Sequence, residues 1–288
     1  MLNLIINAII NGILLGGVYA LLAIGLNLLF GVLKLIHLAY GQFVMIGLYI
    51  LYVLVVNAGL PFWAAAIITI IVTGILGIIV HILIVQPLLD APRLNQLLAL
   101  AGLIIVFENL SMVIWGADYR NIQMSLPVVA VGGFYIRMSY LIAFIGGLIT
   151  LGLLYLFLYK TYLGLSIRAI SQDLEGVELM GVNPKVNFYV TMAAGGILTG
   201  IVAVFFAPIY AVHPHFGSSF TILAFIIVVL GGMGNLLGGF ISAFIMGVVT
   251  SVAAFLTTSE IADIIAMLIF IGVMLVRPQG IMGIREAR

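Results

Sequence analysis

Glu108 is the only acidic residue well inside an apolar run long enough to cross a lipid bilayer, so its carboxylate is the first candidate for chemistry in this sequence. Charges in hydrocarbon face a cavity or a partner, and two roles stay open for this one. With Asn109 it lines a substrate path or accepts a hydrogen bond from the amino group of a bound zwitterion. Alternatively it sits about 10 Å below the outer end of its helix, where it reaches interfacial water or is protonated and bonded to another helix. Asn11, Tyr19 and Asn27 put polar groups on the first apolar run, with path lining and interhelical hydrogen bonding as their alternatives. The four histidines form no metal or catalytic pattern: His213-Pro214-His215 is a short turn, and His37 and His81 are isolated in sequence. No HExxH and no nucleophile-base arrangement is present, and cysteine is absent. These residue types offer binding and passage, not bond-making.

The second candidate is the polar stretch 160–187. Its apolar residues Ile167, Ile170, Leu174 and Val177 recur at spacings of three and four, while Arg168, Gln172, Glu175 and Glu178 point elsewhere. That pattern predicts a short amphipathic helix around 166–180, capped by Ser166 and stopped by Gly181 with Asn183-Pro184. Such a helix either docks its apolar face in a groove of a soluble partner or lies on the lipid surface.

The elements that carry these residues follow from composition. Of the 288 residues 65% are hydrophobic and 7% charged, with mean hydropathy +1.39, far from soluble domains. Backbone groups in hydrocarbon must be satisfied within the segment, and the alternation of a barrel strand is missing, so the chain is read as an all-α, polytopic membrane helical bundle. Spans are expected near 5–29, 40–57, 62–85, 96–115, 139–159, 188–210, 219–232, 236–256 and 262–276, eight to nine in one transmembrane domain over 1–288. The break at Gly231-Gly232-Met233-Gly234-Asn235 separates the seventh from the eighth. The opening residues lack the charged flank and cleavage site of a signal peptide, so they are read as a retained first span.

Basic residues in short loops stay cytoplasmic. A cytoplasmic C-terminus gathers Lys34, Arg93, Lys160, Arg168, Lys185, Arg277, Arg285 and Arg288 inside and leaves Arg120 and Arg137 outside. Nine crossings then put the N-terminus outside. The outer segment 116–138, with Pro127, Gly132 and Gly133, is either a short hairpin or an irregular cap. Gly12-Ile13-Leu14-Leu15-Gly16 recurs as Gly196-Ile197-Leu198-Thr199-Gly200, which fits an inverted repeat or two separate helix-packing stripes.

Family resemblance narrows the reading. Gly164, Arg168, Ala169, Asp173, Gly181, Val182 and Asn183 resemble the coupling loop of ABC importer permeases in its branched-chain amino acid version, with Gly176-Val177 in place of an Ala pair. The opening from Asn11-Gly12-Ile13-Leu14-Leu15-Gly16-Gly17 to Gly31-Val32 is similar to the first span of LivH-type permeases. Leu38-Ala39-Tyr40-Gly41-Gln42-Phe43, Leu230-Gly231-Gly232-Met233-Gly234-Asn235 and Arg277-Pro278-Gln279-Gly280 resemble three further signatures of that family.

The resemblance implies a type II ABC importer permease fold. It further implies an ATP-driven importer of branched-chain or other hydrophobic amino acids in which this chain forms half of the path. The implied partners are a second, LivM-like permease subunit, two ATPase subunits and an extracytoplasmic substrate-binding protein. Gly164, Arg168, Ala169, Asp173, Glu175, Glu178, Gly181 and Asn183 would then couple to the ATPase, with Asn11, Tyr19, Asn27, Glu108 and Asn109 as candidate path residues. No cofactor is implied, and no Gly-x4-Gly-Lys-Ser/Thr occurs in the chain. A secondary, ion-coupled transporter for small amino acids or amides is the alternative.

Overall fold

Apolar runs with no outside partner for their backbone groups close their hydrogen bonds internally, and the chain accordingly folds as a succession of helices. A computed structural model describes residues 2–122, 124, 126–131, 134–277 and 279–282. The helices are α1 Leu2–Leu33, α2 Tyr40–Tyr52, α3 Phe62–Val80, α4 Gln86–Leu88, α5 Arg93–Trp115, α6 Met138–Lys160, α7 Tyr162–Gln172, α8 Leu174–Leu179, α9 Pro184–Phe206, α10 Phe216–Gly231, α11 Leu236–Leu256 and α12 Ser259–Val276. Single π-helical turns extend α2 through Val53–Asn57 and join α3 to α4 through His81–Val85. Among the described residues seven apolar segments are long enough to span a bilayer, and Phe216–Gly231 and Ile261–Val276 are shorter. The chain is a multi-pass membrane protein.

Several boundaries differ from the expected spans for local reasons. α9 begins at Pro184, not near 188, because proline suits the first turn of a helix, and Pro208 follows closely on its end at Phe206. α10 runs from Phe216, earlier than 219, and its 16 residues reach roughly 24 Å, short of a full hydrocarbon core. α1 extends past 29 to Leu33, where Lys34 adopts a left-handed φ of 53° and ends it. Between 116 and 138 the hairpin alternative holds: strands β1 Val128–Val131 and β2 Phe134–Arg137 pair antiparallel, Val128 opposite Arg137. Gly132, Gly133, Pro278, and the expected cytoplasmic Arg285 and Arg288 lie outside the described residues.

The chain forms two compact units, 1–27 with 123–149 and 223–288, and 28–122 with 150–222. In the first, glycine stripes let α1 and α11 touch backbone to backbone: a Cβ on Gly12 would stand 2.7 Å from the Gly247 carbonyl oxygen and from Val248 Cα. Ser251 donates to the Ala8 carbonyl at 2.7 Å across the same contact. In the second, α3 and α9 meet through Gly74, Gly77, Gly196 and Gly200, and a Cβ on Gly74 would lie 2.9 Å from Ile197. In lipid the apolar effect does not drive helices together, so such close van der Waals contact carries the association. The two similar glycine motifs of the sequence therefore each make a tight helix pair.

Candidate functional site

The 161–183 connection is built as two short helices meeting at one residue. Thr161, not Ser166, caps the first: its hydroxyl accepts from Gly164 N–H at 3.0 Å. Ser166 sits inside the helix and donates back to the Tyr162 carbonyl at 3.0 Å. Asp173 ends α7 in an extended conformation and caps α8, its carboxylate accepting from Gly176 N–H at 3.1 Å. The expected single helix is thus split, because an aspartate that accepts from the next helix leaves helical geometry. Gly181, at φ 84°, closes α8, and Asn183 caps α9 by accepting from Lys185 N–H at 3.0 Å.

Most of the family-pattern residues shape this connection from within. Gly164 lies against the Phe157 carbonyl and Leu158 Cα, where a side chain has no room, so α7 folds tightly back on the end of α6. Arg168 Nε donates to the Leu158 carbonyl at 2.9 Å, and its guanidinium lies 4.1 Å over the Tyr159 ring. Ala169 is half-buried and its carbonyl accepts from Asp173 N–H. Of the apolar face, Ile167 and Ile170 turn inward, each 1% exposed against the chain itself, so they do not wait for a partner's groove, while Leu174 is exposed and Val177 half-buried. What points outward is Glu175, Glu178, Leu179 and Met180, the last two 89% and 85% exposed.

Lys34 joins this connection to the first one, its ammonium donating to the Ser171 carbonyl at 2.8 Å. Beside that bond lies a cavity of about 550 Å³ whose walls include His81, Asp90, Glu178 and Asn183. The π-helical turn that starts at His81 sets this wall, a distortion that recurs at functional sites.

A second polar cluster gathers around Glu108. Gln42 Nε2 donates to its Oε1 at 3.2 Å, Ser218 Oγ donates to the same oxygen, and His215 Nδ1 stands 3.1 Å from Oε2. Gln42 Nε2 also donates to Ser218 Oγ at 3.0 Å. The carboxylate is thereby bonded to α2, to α10 and to the turn that precedes α10. Its side chain is 16% exposed while His215 is 66% exposed, so the cluster runs from inside the bundle to the surface. Three bonds nearly fill the acceptor sites of a carboxylate, and the arrangement holds helix ends together.

The remaining candidates scatter. Asn109 is exposed and donates to its own helix at Ile105, 2.8 Å away, so it does not share the surroundings of Glu108. Asn27, 1% exposed, donates to the Asn235 carbonyl at 2.7 Å and accepts from Gly234 N–H at 2.6 Å, which ties down the glycine-rich break before α11. Asn11 is half-buried and Tyr19 is 5% exposed on α1. Among the described residues no cluster of His, Asp and Glu is placed to hold a metal.

A family profile matches most of this sequence. Residues 8–274 fit the branched-chain amino acid transport system permease component. The chain belongs to that family of permeases. It is 29% identical over 290 residues to the high-affinity branched-chain amino acid transport system permease protein BraD of Pseudomonas aeruginosa, covering 96% of this chain and 94% of that one. It is 26% identical to LivH of Escherichia coli, with 95% and 94% covered, and 23% identical to a probable LivH of Methanocaldococcus jannaschii, with 95% and 91% covered. In fold the permease is similar to PsaBC from Streptococcus pneumoniae, solved in complex with a Fab, at TM-score 0.52 and 16% identity over 96% of this chain and 91% of that one.

Residues of the permease that sequence reasoning passed over are the ones that complete each cluster. Gln42 and Ser218 lie 66 and 110 residues from Glu108, and no local pattern links them. Leu179-Met180 is an apolar pair just before a glycine stop, but it falls off the periodic face, so periodicity does not single it out.

Proposed function

We propose that this permease forms half of the translocation path of an ATP-driven importer for branched-chain and other hydrophobic amino acids. A second permease subunit forms the other half, two ATPase subunits bind at the face that carries Lys34, Lys160, Arg168 and Lys185, and a binding protein delivers the amino acid at the opposite face. That basic face is cytoplasmic, by the preference of Lys and Arg, which puts the N-terminus outside and the C-terminus inside. Supporting this, Arg120 N–H donates to the Val212 carbonyl at 2.9 Å, so these two connections share one end of the second unit.

The observation that carries the proposal is the build of the 161–183 connection. Its polar groups are spent on its own shape, while Leu179, Met180, Glu175 and Glu178 project from α8. A preformed apolar tip with an acidic collar suits insertion into a partner's groove, because little ordering entropy remains to be lost on docking. The ATPase engages this tip, and its movement reaches the spans through Arg168 and Lys34 as rigid-body displacement.

The test is co-purification and transport. Leu179→Asp with Met180→Asp abolishes retention of the ATPase subunits while the permease remains folded and membrane-inserted. Proteoliposomes containing the assembled complex take up leucine only with ATP and binding protein present. Uptake driven by an ion gradient with this chain alone would overturn the proposal in favour of a secondary carrier.

A further inference from the structure

The cavity beside the Lys34–Ser171 bond is not explained by docking an ATPase. Its lining is apolar at Val32, Leu33, Leu89 and Phe188. The same lining carries two cations, Lys34 and Lys185, and two acids, Asp90 and Glu178. Among the described residues none of these four exposed side chains is in an ion pair. His81 also faces this space, 1% exposed, with its Nδ1 lacking any hydrogen-bond partner, and such buried orphans point to a missing ligand group.

The volume, about 550 Å³, falls among those of small-molecule sites. The balance of charge selects the ligand class. A polyanion such as a nucleotide would face Asp90 and Glu178, and an organic cation would face Lys34 and Lys185. A molecule with one carboxylate, one ammonium and an aliphatic body matches both signs of charge and the apolar lining at once.

We propose that this cavity binds a free aliphatic α-amino acid and that its occupancy slows transport. The inference rests on the reading above that such amino acids are the cargo and that this face is cytoplasmic. Glu178 and Asn183 of the 161–183 connection line the cavity together with Leu33 and Phe188 of the spans and Leu89, just past the end of α4. A ligand bridging the connection and the spans resists displacement of α8, so accumulated product feeds back on the subunit that moved it.

The experiment uses the complete complex in proteoliposomes and, separately, in detergent without the binding protein. Labelled leucine is expected to bind the detergent complex, with 4-methylpentanoate and isoamylamine, each lacking one charge, binding about tenfold or more weakly. Asp90→Asn and Lys185→Gln are expected to weaken leucine binding by about tenfold each, and Leu89→Trp to abolish it by filling the cavity. Preloading the vesicle lumen with leucine slows uptake severalfold in the native complex and leaves Leu89→Trp unaffected.

Absence of ATP-dependent leucine uptake in empty vesicles would remove the cargo reading itself. Normal uptake with no leucine binding in detergent, or with equal lumenal inhibition in Leu89→Trp, would overturn the cavity site alone.

Discussion

The ammonium of Lys34 is held 2.8 Å from the carbonyl oxygen of Ser171, 137 residues further along the chain. Lys34 is also the one described non-glycine residue with a left-handed backbone, so α1 ends in a conformation that a lysine adopts at some cost. That cost is tolerated where the side chain has a fixed destination. Lys34→Met keeps the length and loses the bond. We expect cleavage within 172–183 by chymotrypsin to become about fivefold faster, matching roughly 1 kcal/mol of local stability. Unchanged cleavage would show that the bond does not secure the connection.

Arg168 anchors α7 by two interactions that lysine cannot reproduce together, a directed Nε–H bond to Leu158 and a planar face on Tyr159. Arg168→Lys is therefore expected to lower ATP-dependent uptake by roughly tenfold, with the ATPase subunits still bound. Comparing ATP hydrolysis with uptake in the assembled complex checks this. Hydrolysis that persists while transport falls is the expected signature.

Removing the Glu108 carboxylate leaves Gln42 and Ser218 without their shared acceptor, whereas an amide retains one acceptor oxygen. Glu108→Ala is expected to cost about 1–3 kcal/mol, read as a lower unfolding midpoint in detergent. Glu108→Gln should unfold close to the native protein. If Glu108→Gln is as stable as native yet raises the KM for leucine severalfold with unchanged maximal rate, the carboxylate touches the substrate in addition to joining helices.

His37 lies in the 34–39 connection with both ring nitrogens buried and unbonded, flanked edge-on by Phe43 at 5.3 Å and Tyr40 at 6.4 Å. Burial lowers its pKa from 6.5 to about 4. The unfolded chain thus binds a proton between pH 6.5 and 4 that the folded chain refuses, so stability falls as pH drops through that window and is constant above it. The loss amounts to at most about 3 kcal/mol. His37→Phe should flatten the dependence of the unfolding midpoint on pH across this window, and a native-like slope in that variant would exclude His37 as its source.

Asn27 satisfies two backbone groups at the glycine-rich break, and leucine at this position satisfies neither. Asn27→Leu is expected to destabilise by about 2–4 kcal/mol, since Gly234 N–H and the Asn235 carbonyl each lose a partner. Thermal unfolding checks this, and a midpoint within a degree of native would contradict it.

The helices, the break at Gly231–Asn235 and the location of the polar connection were all legible because they follow from strictly local physics. A run of apolar residues must hydrogen-bond to itself in lipid, and a glycine cluster cannot continue it. The periodicity of Ile167 and Ile170 reported correctly that one face is buried. It could not report what buries it, since amphipathicity is the same whether the covering surface is a partner, a lipid or the chain's own spans. Ser166 and Thr161 show the same limit on a smaller scale: both carry a hydroxyl able to cap, and the choice falls on the residue at the end of a preceding helix. The cluster around Glu108 was unreadable in principle from one sequence, because its members meet only after α2, α5 and α10 have packed.

Asp173 is at once the C-cap of one short helix and the N-cap of the next, so the 161–183 connection is two rigid pieces meeting at a single joint. On one side of that joint α7 is fastened twice, by Arg168 to the foot of α6 and through the Ser171 carbonyl to the foot of α1. On the other side α8 ends at its free tip, Leu179-Met180. On the proposed docking, a sideways push on the tip would arrive at two spans together, at the points where those two fastenings sit, as through a yoke.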